Sequence, residues 1–330
     1  MKKIYLILSV FAIVFTACET DFDVNAEWEE TTVVYGLLDA TDTDIEKKIQ
    51  KIKISKAFLG KMDAMQMAQY ADSINFDAGE LDVKIVRTKN NGNTDTITLS
   101  EDLVSRAEGD FHDSIMVYTF ENNSFLNSNS VYELLIKNKI TGNKVSSKTN
   151  IVSGFDFDIR DDFPFGFIQT WIPGNPSATE FSSSTVRWEK SLDNGVLYQL
   201  DLIFNYTEND TVYKSLIYGT SVLESSDYFE FEGVKFFNFL KSELNEDPSI
   251  KRRFTNIDLL MTVGSEDLRT YRIVNEEITG IVQERPQFTN INNGIGLFSS
   301  RFTFQLKGMG IADDTDKFMK STDGLDRNFH

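Results

Sequence analysis

The amino-acid sequence predicts a mainly β protein in two parts, an N-terminal β-sandwich followed by a second β-rich domain that carries two helices. Three observations lead there. From residue 31 onward, short runs rich in Val, Ile, Tyr, Phe and Thr alternate apolar with polar residues, the period of two that a half-buried strand requires. Clusters of Asn, Asp and Gly separate the runs, as turns demand. Aromatic residues make up 12% of the 330-residue chain, with 27 Phe, which supplies enough bulky apolar volume to fill layered cores.

In chain order, the predicted strands of the first domain, 31–153, are 32–38, 49–57, 81–88, 114–120, 131–137 and 144–152. The last two read as a hairpin, because Thr141-Gly142-Asn143 lies between them. Short strands with regular turn signals predict a sandwich of the immunoglobulin-like kind. One interruption, 63–70, contains Ala64, Met65, Met67 and Ala68 and no β-branched residue, so it reads as a short inserted helix.

The character of the chain changes over 154–176. Phe155, Phe157, Phe163, Phe165, Phe167 and Trp171 interleave with Asp156, Asp158, Asp161 and Asp162, ahead of Pro173-Gly174-Asn175-Pro176. The domain junction is expected here. The rings could form an exposed platform for sugars or pack the two parts together, and the scarcity of large exposed apolar patches favours packing.

The second domain, 154–311, continues with strands at 184–190, 197–206 and 211–218. In the middle one Tyr198, Leu200, Leu202, Phe204 and Tyr206 share a face, and Asn209-Asp210 makes the turn that follows. A helix is predicted near 234–244, with Phe236, Phe237, Leu240 and Leu244 on one stripe. A second is predicted over 266–283 from the spacing of Leu268, Tyr271, Val274 and Ile278, with an acidic start at Glu266-Asp267 that suits the helix dipole. A strand at 300–306 closes the domain, and 312–330 reads as a polar tail.

Composition excludes several functions. A net charge of −18 argues against nucleic acid as a partner, since phosphate backbones need clustered Lys and Arg. With one Cys and two His, His112 and His330, the chain lacks the side chains for a disulfide framework, zinc sites and most His-based catalysis. His112 has no G-x-S-x-G nucleophile to serve and reads as a polar strand-edge residue. Gly294-Ile295-Gly296 lacks the third glycine of a dinucleotide loop and precedes a strand, so its glycines are expected to let the backbone turn. Asp39, Asp42 and Asp44, and Asp313, Asp314 and Asp316, offer oxygens of the kind calcium accepts, but neither run has the EF-hand pattern and solvated turns are the plainer reading. No catalytic residue, metal site or cofactor is assigned.

The N-terminus carries an address. Met1-Lys2-Lys3, an apolar run over 4–15 and then Thr16-Ala17-Cys18 have the layout of a signal peptide, 1–17, whose apolar run is too short to span a bilayer. Phe15-Thr16-Ala17-Cys18 resembles the bacterial lipobox, which implies cleavage before Cys18 and lipid attachment to it. The sole Cys of the chain sits at that position. Residues 18–30 then form an acylated tether rich in Asp and Glu, and its Asp21-Phe22-Asp23 resembles the sorting signal of surface-displayed lipoproteins of Bacteroidota. A solvated linker without sorting information has the same composition. Four tripeptides beginning Asp72, Asp95, Asp113 and Asp210 resemble O-glycosylation sites of exported proteins of that group.

With these elements in place, the chain resembles an uncharacterised family of Bacteroidota outer-membrane lipoproteins, a domain of unknown function. The resemblance rests on residues 33–38 (Val-Val-Tyr-Gly-Leu-Leu), on 54–59, on the helix carrying Tyr271, and on the run from Asn290 through Gly294-Ile295-Gly296 to Phe298. It implies an outer-membrane location, lipid-anchored and facing the periplasm or the cell surface, and a partnership with TonB-dependent transporters. The expected function is therefore a non-enzymatic binding or accessory subunit attached to the membrane through its acyl chains. The rival is a surface glycan hydrolase that uses paired carboxylates, which 51 acidic residues make impossible to locate by sequence.

Overall fold

The computed structural model describes residues 31–41, 49–57, 74–105, 114–154, 156–158, 163–189, 193–219, 227–275 and 287–330. Residues 1–30 with Cys18, the expected helix at 63–70, Asp42, Asp44, His112 and Phe155 lie outside them. Among the described residues the protein is mainly β, with three α-helices and several sheets.

The strands are, in order, β1 (Thr31–Asp39), β2 (Ile49–Ala57), β3 (Leu81–Lys89), β4 (Thr94–Thr98), β5 (Ser100–Ser105), β6 (Ser114–Glu121), β7 (Ser130–Asn138), β8 (Lys144–Asn150), β9 (Asp156–Phe157), β10 (Ile168–Thr170) and β11 (Glu180–Phe181). They continue with β12 (Ser183–Glu189), β13 (Leu197–Glu208), β14 (Val212–Gly219), β15 (Tyr228–Glu232), helix α1 (Gly233–Glu243), β16 (Arg252–Gly264), helix α2 (Glu266–Asn275), β17 (Gly294–Met309) and helix α3 (Asp313–Lys320).

One eight-stranded sheet, β14-β13-β16-β17-β1-β2-β6-β5, runs through the molecule. The boundary expected at 153–154 does not separate the sheets. The closing strand β17 pairs in parallel with the opening strand β1, with Val34 opposite Gly296 and Gly36 opposite Phe298, so strands from both halves share one ladder. What changes near residue 151 is the layer that covers the sheet. Over β1, β2 and β6 the cover is the four-stranded sheet β4-β3-β7-β8, and Val34, Ile52, Ile54, Ile85, Tyr132, Leu134 and Phe298 form the core between them. Over β13, β16 and the rest of β17 the cover is β15-β12-β9 with α1 and α3, around Leu200, Phe204, Leu259, Met261, Val186, Phe231, Phe236 and Phe318. The chain crosses from one core to the other at Ile151 and Val152. There the buried Ser300 hydroxyl donates to Asn150 O (2.6 Å) and accepts from Val152 N (3.1 Å).

Local sequence explains much of this. In β13 the residues from Tyr198 to Tyr206 alternate inward as the period of two requires. Asn209 and Asp210 both take positive φ (51° and 56°), the conformation a tight hairpin turn needs. Phe236, Phe237 and Leu240 form the buried stripe of α1, with Leu244 just beyond it. The rings of the junction pack inward: Phe157, Phe165, Phe167 and Trp171 are all buried, and Phe167 stacks on Phe236 at 4.2 Å. Such a pair adds about 0.5–1.5 kcal/mol to the burial of its surface.

Two expectations are corrected. Residues 312–330 are not a polar tail. They form α3 and a packed C-terminal segment, because Thr315, Phe318 and Met319 fall at i, i+3 and i+4 on one helical face and Leu325 and Phe329 follow them into the core. The segment is tied to β16 where Arg252 N donates to Asn328 O (2.9 Å) and His330 N to Arg252 O (3.0 Å). The second concerns 252–264, where no strand is expected: β16 is a thirteen-residue interior strand of the sheet. The helix expected over 266–283 is present as α2 to Asn275, and 276–286 lie outside the described residues.

Candidate functional site

Both cores lie on one face of the large sheet. On the other face, where α2 packs against β17, the described residues form a cleft of about 530 Å³ over β1, β2 and β17. Alternation along β1 sends Val34 and Leu38 into the core and turns Tyr35 and Leu37 outward. The register places Leu297 beside Tyr35 and Arg301 beside Asp39. Ile49 and Lys51, on β2, complete the lining from the other side.

The cleft is apolar in its body and charged at one end. Tyr35 and Ile49 are exposed although apolar, at 44% and 47%, so the site offers contact area that the fold itself leaves unused. Tyr271, from α2, meets the Tyr35 ring edge-on at 6.3 Å. Burial, and then the neighbouring Tyr35 hydroxyl, push the Tyr271 phenol above its ordinary range, so this ring stays a neutral hydrogen-bonding group at neutral pH.

Asp39 is the only carboxylate among the described lining residues. Arg301 Nε donates to its Oδ2 (3.0 Å) and Thr41 N to its Oδ1 (3.0 Å). The backbone of Asp39 is clamped as well: its N–H donates to Gln50 Oε1 (2.8 Å) and its carbonyl accepts from Gln50 Nε2 (3.0 Å). Thr41 Oγ1 donates to Thr303 O (3.0 Å) and accepts from Thr303 N (2.7 Å). The charged end is thus fixed to three strands, and Arg301 is about half exposed there. A wall of Tyr35, braced by Tyr271, and aliphatic carbons with a guanidinium at one end suits a ring or chain that carries hydroxyl, carboxylate or phosphate groups.

The residues weighed from sequence fall elsewhere. Cys18, Asp42, Asp44 and His112 lie outside the described residues. Asp313, Asp314 and Asp316 occupy the first turn of α3, where Lys317 pairs with Asp314 (2.9 Å) and Lys320 with Asp316 (2.8 Å). Among the described residues no three His, Cys, Asp or Glu converge as a metal set. Exposed His330 stands 3.2 Å from the Arg253 guanidinium. Gly296 has φ +117°, and a Cβ there would lie 2.0 Å from Val34 O, so this glycine permits the close parallel approach of β17 to β1. Of the glycosylation-like tripeptides, Thr96 and Thr211 are exposed.

Sequence reasoning did not bring together Tyr35, Asp39, Ile49, Tyr271 and Arg301, which come from four separate elements. The one usable signal was the alternation of β1, which puts Tyr35 on the face opposite Val34. No protein-family model, curated protein or solved structure matches the chain.

Proposed function

We propose that this protein is a lipid-anchored, non-enzymatic binding or accessory subunit of the outer membrane, attached through acyl chains on Cys18 and working beside a TonB-dependent transporter. The observation that carries the binding part is the cleft beside Tyr35, whose one carboxylate among the described lining residues is already engaged. A glycan hydrolase needs two acids facing each other about 5–10 Å apart. Asp39 is held by Arg301 and Thr41, which favours binding over hydrolysis. The address rests on the lipobox-like Phe15-Thr16-Ala17-Cys18 and on the resemblance to Bacteroidota lipoproteins of unknown function.

An immunoglobulin-like N-terminal half is part of this reading. Its support is the strand order β1-β2-β6-β5 opposite β4-β3-β7-β8, which follows the A-B-E-D and C′-C-F-G order of that fold. Tyr132, near the start of β7, donates its hydroxyl back to Phe125 O (2.7 Å), as the tyrosine of the corresponding corner does. Domains of this type commonly serve recognition, with loops and sheet faces free to vary on a fixed frame.

The test is a pull-down of tagged, acylated protein from outer membranes in mild detergent at low salt, with mass spectrometry of what co-purifies. One transporter in near-equal amount supports the accessory role, and Tyr35→Ala or Arg301→Glu then lowers its recovery. Reproducible recovery of no partner overturns it. Cys18→Ala abolishes acylation, and labelled fatty acid on that variant would refute the anchor.

A further inference from the structure

The end of the sandwich from which the tether departs carries a second feature. β1 begins at Thr31, directly after residues 18–30, and the β7–β8 hairpin has its tip at the same end of the molecule: a small cavity is lined jointly by Thr31, Thr32, Asn143, Lys144 and Asn293. At that tip Ile140 is 74% exposed, among the most exposed large apolar side chains described. It is not there through looseness. The buried Asn138 side chain accepts from Ile140 N (2.8 Å) and Thr141 N (3.0 Å) and donates to Glu80 Oε1 (2.7 Å), and Gly142 N closes the turn on Asn138 O (3.0 Å). A braced turn therefore holds an isoleucine out into solvent.

Lysines surround it. Lys137 and Lys144 stand directly opposite each other across the ladder, a like-charge placement that costs stability, and Lys139 lies between them in sequence. Among the described residues neither Lys137 nor Lys144 has a carboxylate at ion-pair distance. Asp82 beside them is taken by Lys84 (2.7 Å), and Glu80 is buried on Asn138 and Asp77 N. The outer face of the hairpin continues as a cleft of about 410 Å³ whose lining includes Asp82, Lys84, Lys137, Lys144, Ser146 and Asn293. A concentrated positive end is notable on a chain whose net charge is −18.

We propose that this hairpin end docks on the membrane, with Ile140 entering the headgroup layer and Lys137, Lys139 and Lys144 on lipid phosphates. The inference rests on the acylated-Cys18 reading and deepens it. Twelve residues lie between Cys18 and Thr31, thirteen steps with a reach of at most about 45 Å when extended, so the tether permits contact and does not enforce it. Apolar tips rimmed by lysines bind interfaces in this way, and each lysine adds attraction to anionic headgroups that salt screens.

The test uses the thiol chemistry of the chain. Once Cys18 is acylated, Ile140→Cys introduces the only free thiol, which takes an environment-sensitive fluorophore. The acylated protein is reconstituted into phosphatidylethanolamine vesicles with and without phosphatidylglycerol. A blue shift and intensity gain at position 140 with the anionic lipid, reduced by salt and lost in Lys137→Glu/Lys144→Glu, is expected. The same label at Asn90→Cys, in the turn at the other end of β3, stays water-like. If the protein floats with vesicles and label 140 stays water-like, or both labels shift alike, docking is overturned while the anchor stands. If Cys18 itself takes the label and the protein does not float, the anchor falls and docking with it.

Discussion

Arg252 is the largest fully buried side chain, at 1% exposure, and replacing it with methionine should be among the most damaging single changes in the molecule. Its guanidinium donates to Asn245 O (3.2 Å), Asn245 Oδ1 (2.5 Å), Arg327 O (2.9 Å) and Glu208 Oε1 (3.3 Å). These bonds tie the connection after α1 and the C-terminal segment to the edge of β16. Methionine fills much of the volume but offers no donor, which leaves the Arg327 and Asn245 carbonyls without this partner and Glu208 without its cation. Removing one member of a buried charge pair costs about 3–5 kcal/mol, and hydrogen bonds to a charged group contribute about 1.5–3 kcal/mol each without adding fully. Because the Glu208 side chain is 20% exposed and can recover water, the lower part of the range applies, about 3 kcal/mol. In a chain of 330 residues that lowers the thermal midpoint by about 4–5 °C. Urea unfolding followed by circular dichroism measures the loss, and limited proteolysis should cut 321–330 in the variant before anything else. A loss below about 1 kcal/mol with an intact C-terminus would refute the assignment of Arg252 as the fastening of that segment.

Three further outcomes follow from named groups. Gly296→Ala should disrupt the β1–β17 ladder, since its Cβ would overlap Val34 O at 2.0 Å with φ at +117°; native-state hydrogen exchange should show the loss first at residues 33–37, and unchanged protection there would contradict the parallel register. Burial raises the phenols of Tyr118, Tyr132, Tyr206 and Tyr218, with Glu101 and Glu80 adding to the effect at Tyr118. The folded state therefore holds these protons where the unfolded chain releases them. That stability is complete below about pH 10 and falls as pH rises from there toward the folded values, so the urea midpoint should drop above about pH 10, and a flat midpoint would refute it. The Tyr118 hydroxyl is buried without a hydrogen-bond partner among the described residues, so Tyr118→Phe should be neutral or stabilising by up to about 1 kcal/mol and should reduce that alkaline loss.

What the sequence revealed and what it concealed divide along local and non-local lines. β13 was legible because Tyr198 to Tyr206 alternate without a fault, and the β7–β8 hairpin because Gly142 marks its turn at φ +78°. β16 was hidden: it opens on Arg252-Arg253, and Leu259-Leu260-Met261 interrupts the alternation that Ile257, Leu259, Met261 and Val263 follow on the inner face. Its partners, β13 and β17, supply the rule that sorts those residues, and no local window contains them. The C-terminal segment was misjudged because a polar composition masked Phe318, Met319, Leu325 and Phe329, each of which is buried. The cleft was illegible for the same reason as β16. Asp39 and Arg301 are 262 residues apart in sequence and become neighbours only through parallel pairing, a register set by the Gly296 approach and the Gly36–Phe298 contact.

That register also orients the molecule. The hairpin with Ile140 and the start of β1 lie at one end of the sheet, and Tyr35, Asp39 and Ile49 lie toward the other, along a nine-residue strand about 27 Å long. If the hairpin end rests on lipid, the cleft lies toward the far end of β1, away from the bilayer. A partner that engages the cleft must then approach from beside or above the protein. Mutations of the two ends should consequently separate. Changes at Lys137 and Lys144 alter contact with vesicles and leave partner recovery in detergent unchanged, whereas changes at Tyr35 and Arg301 do the reverse. A single mutation that abolished both would mean that one surface serves both purposes, which the separation along β1 does not allow.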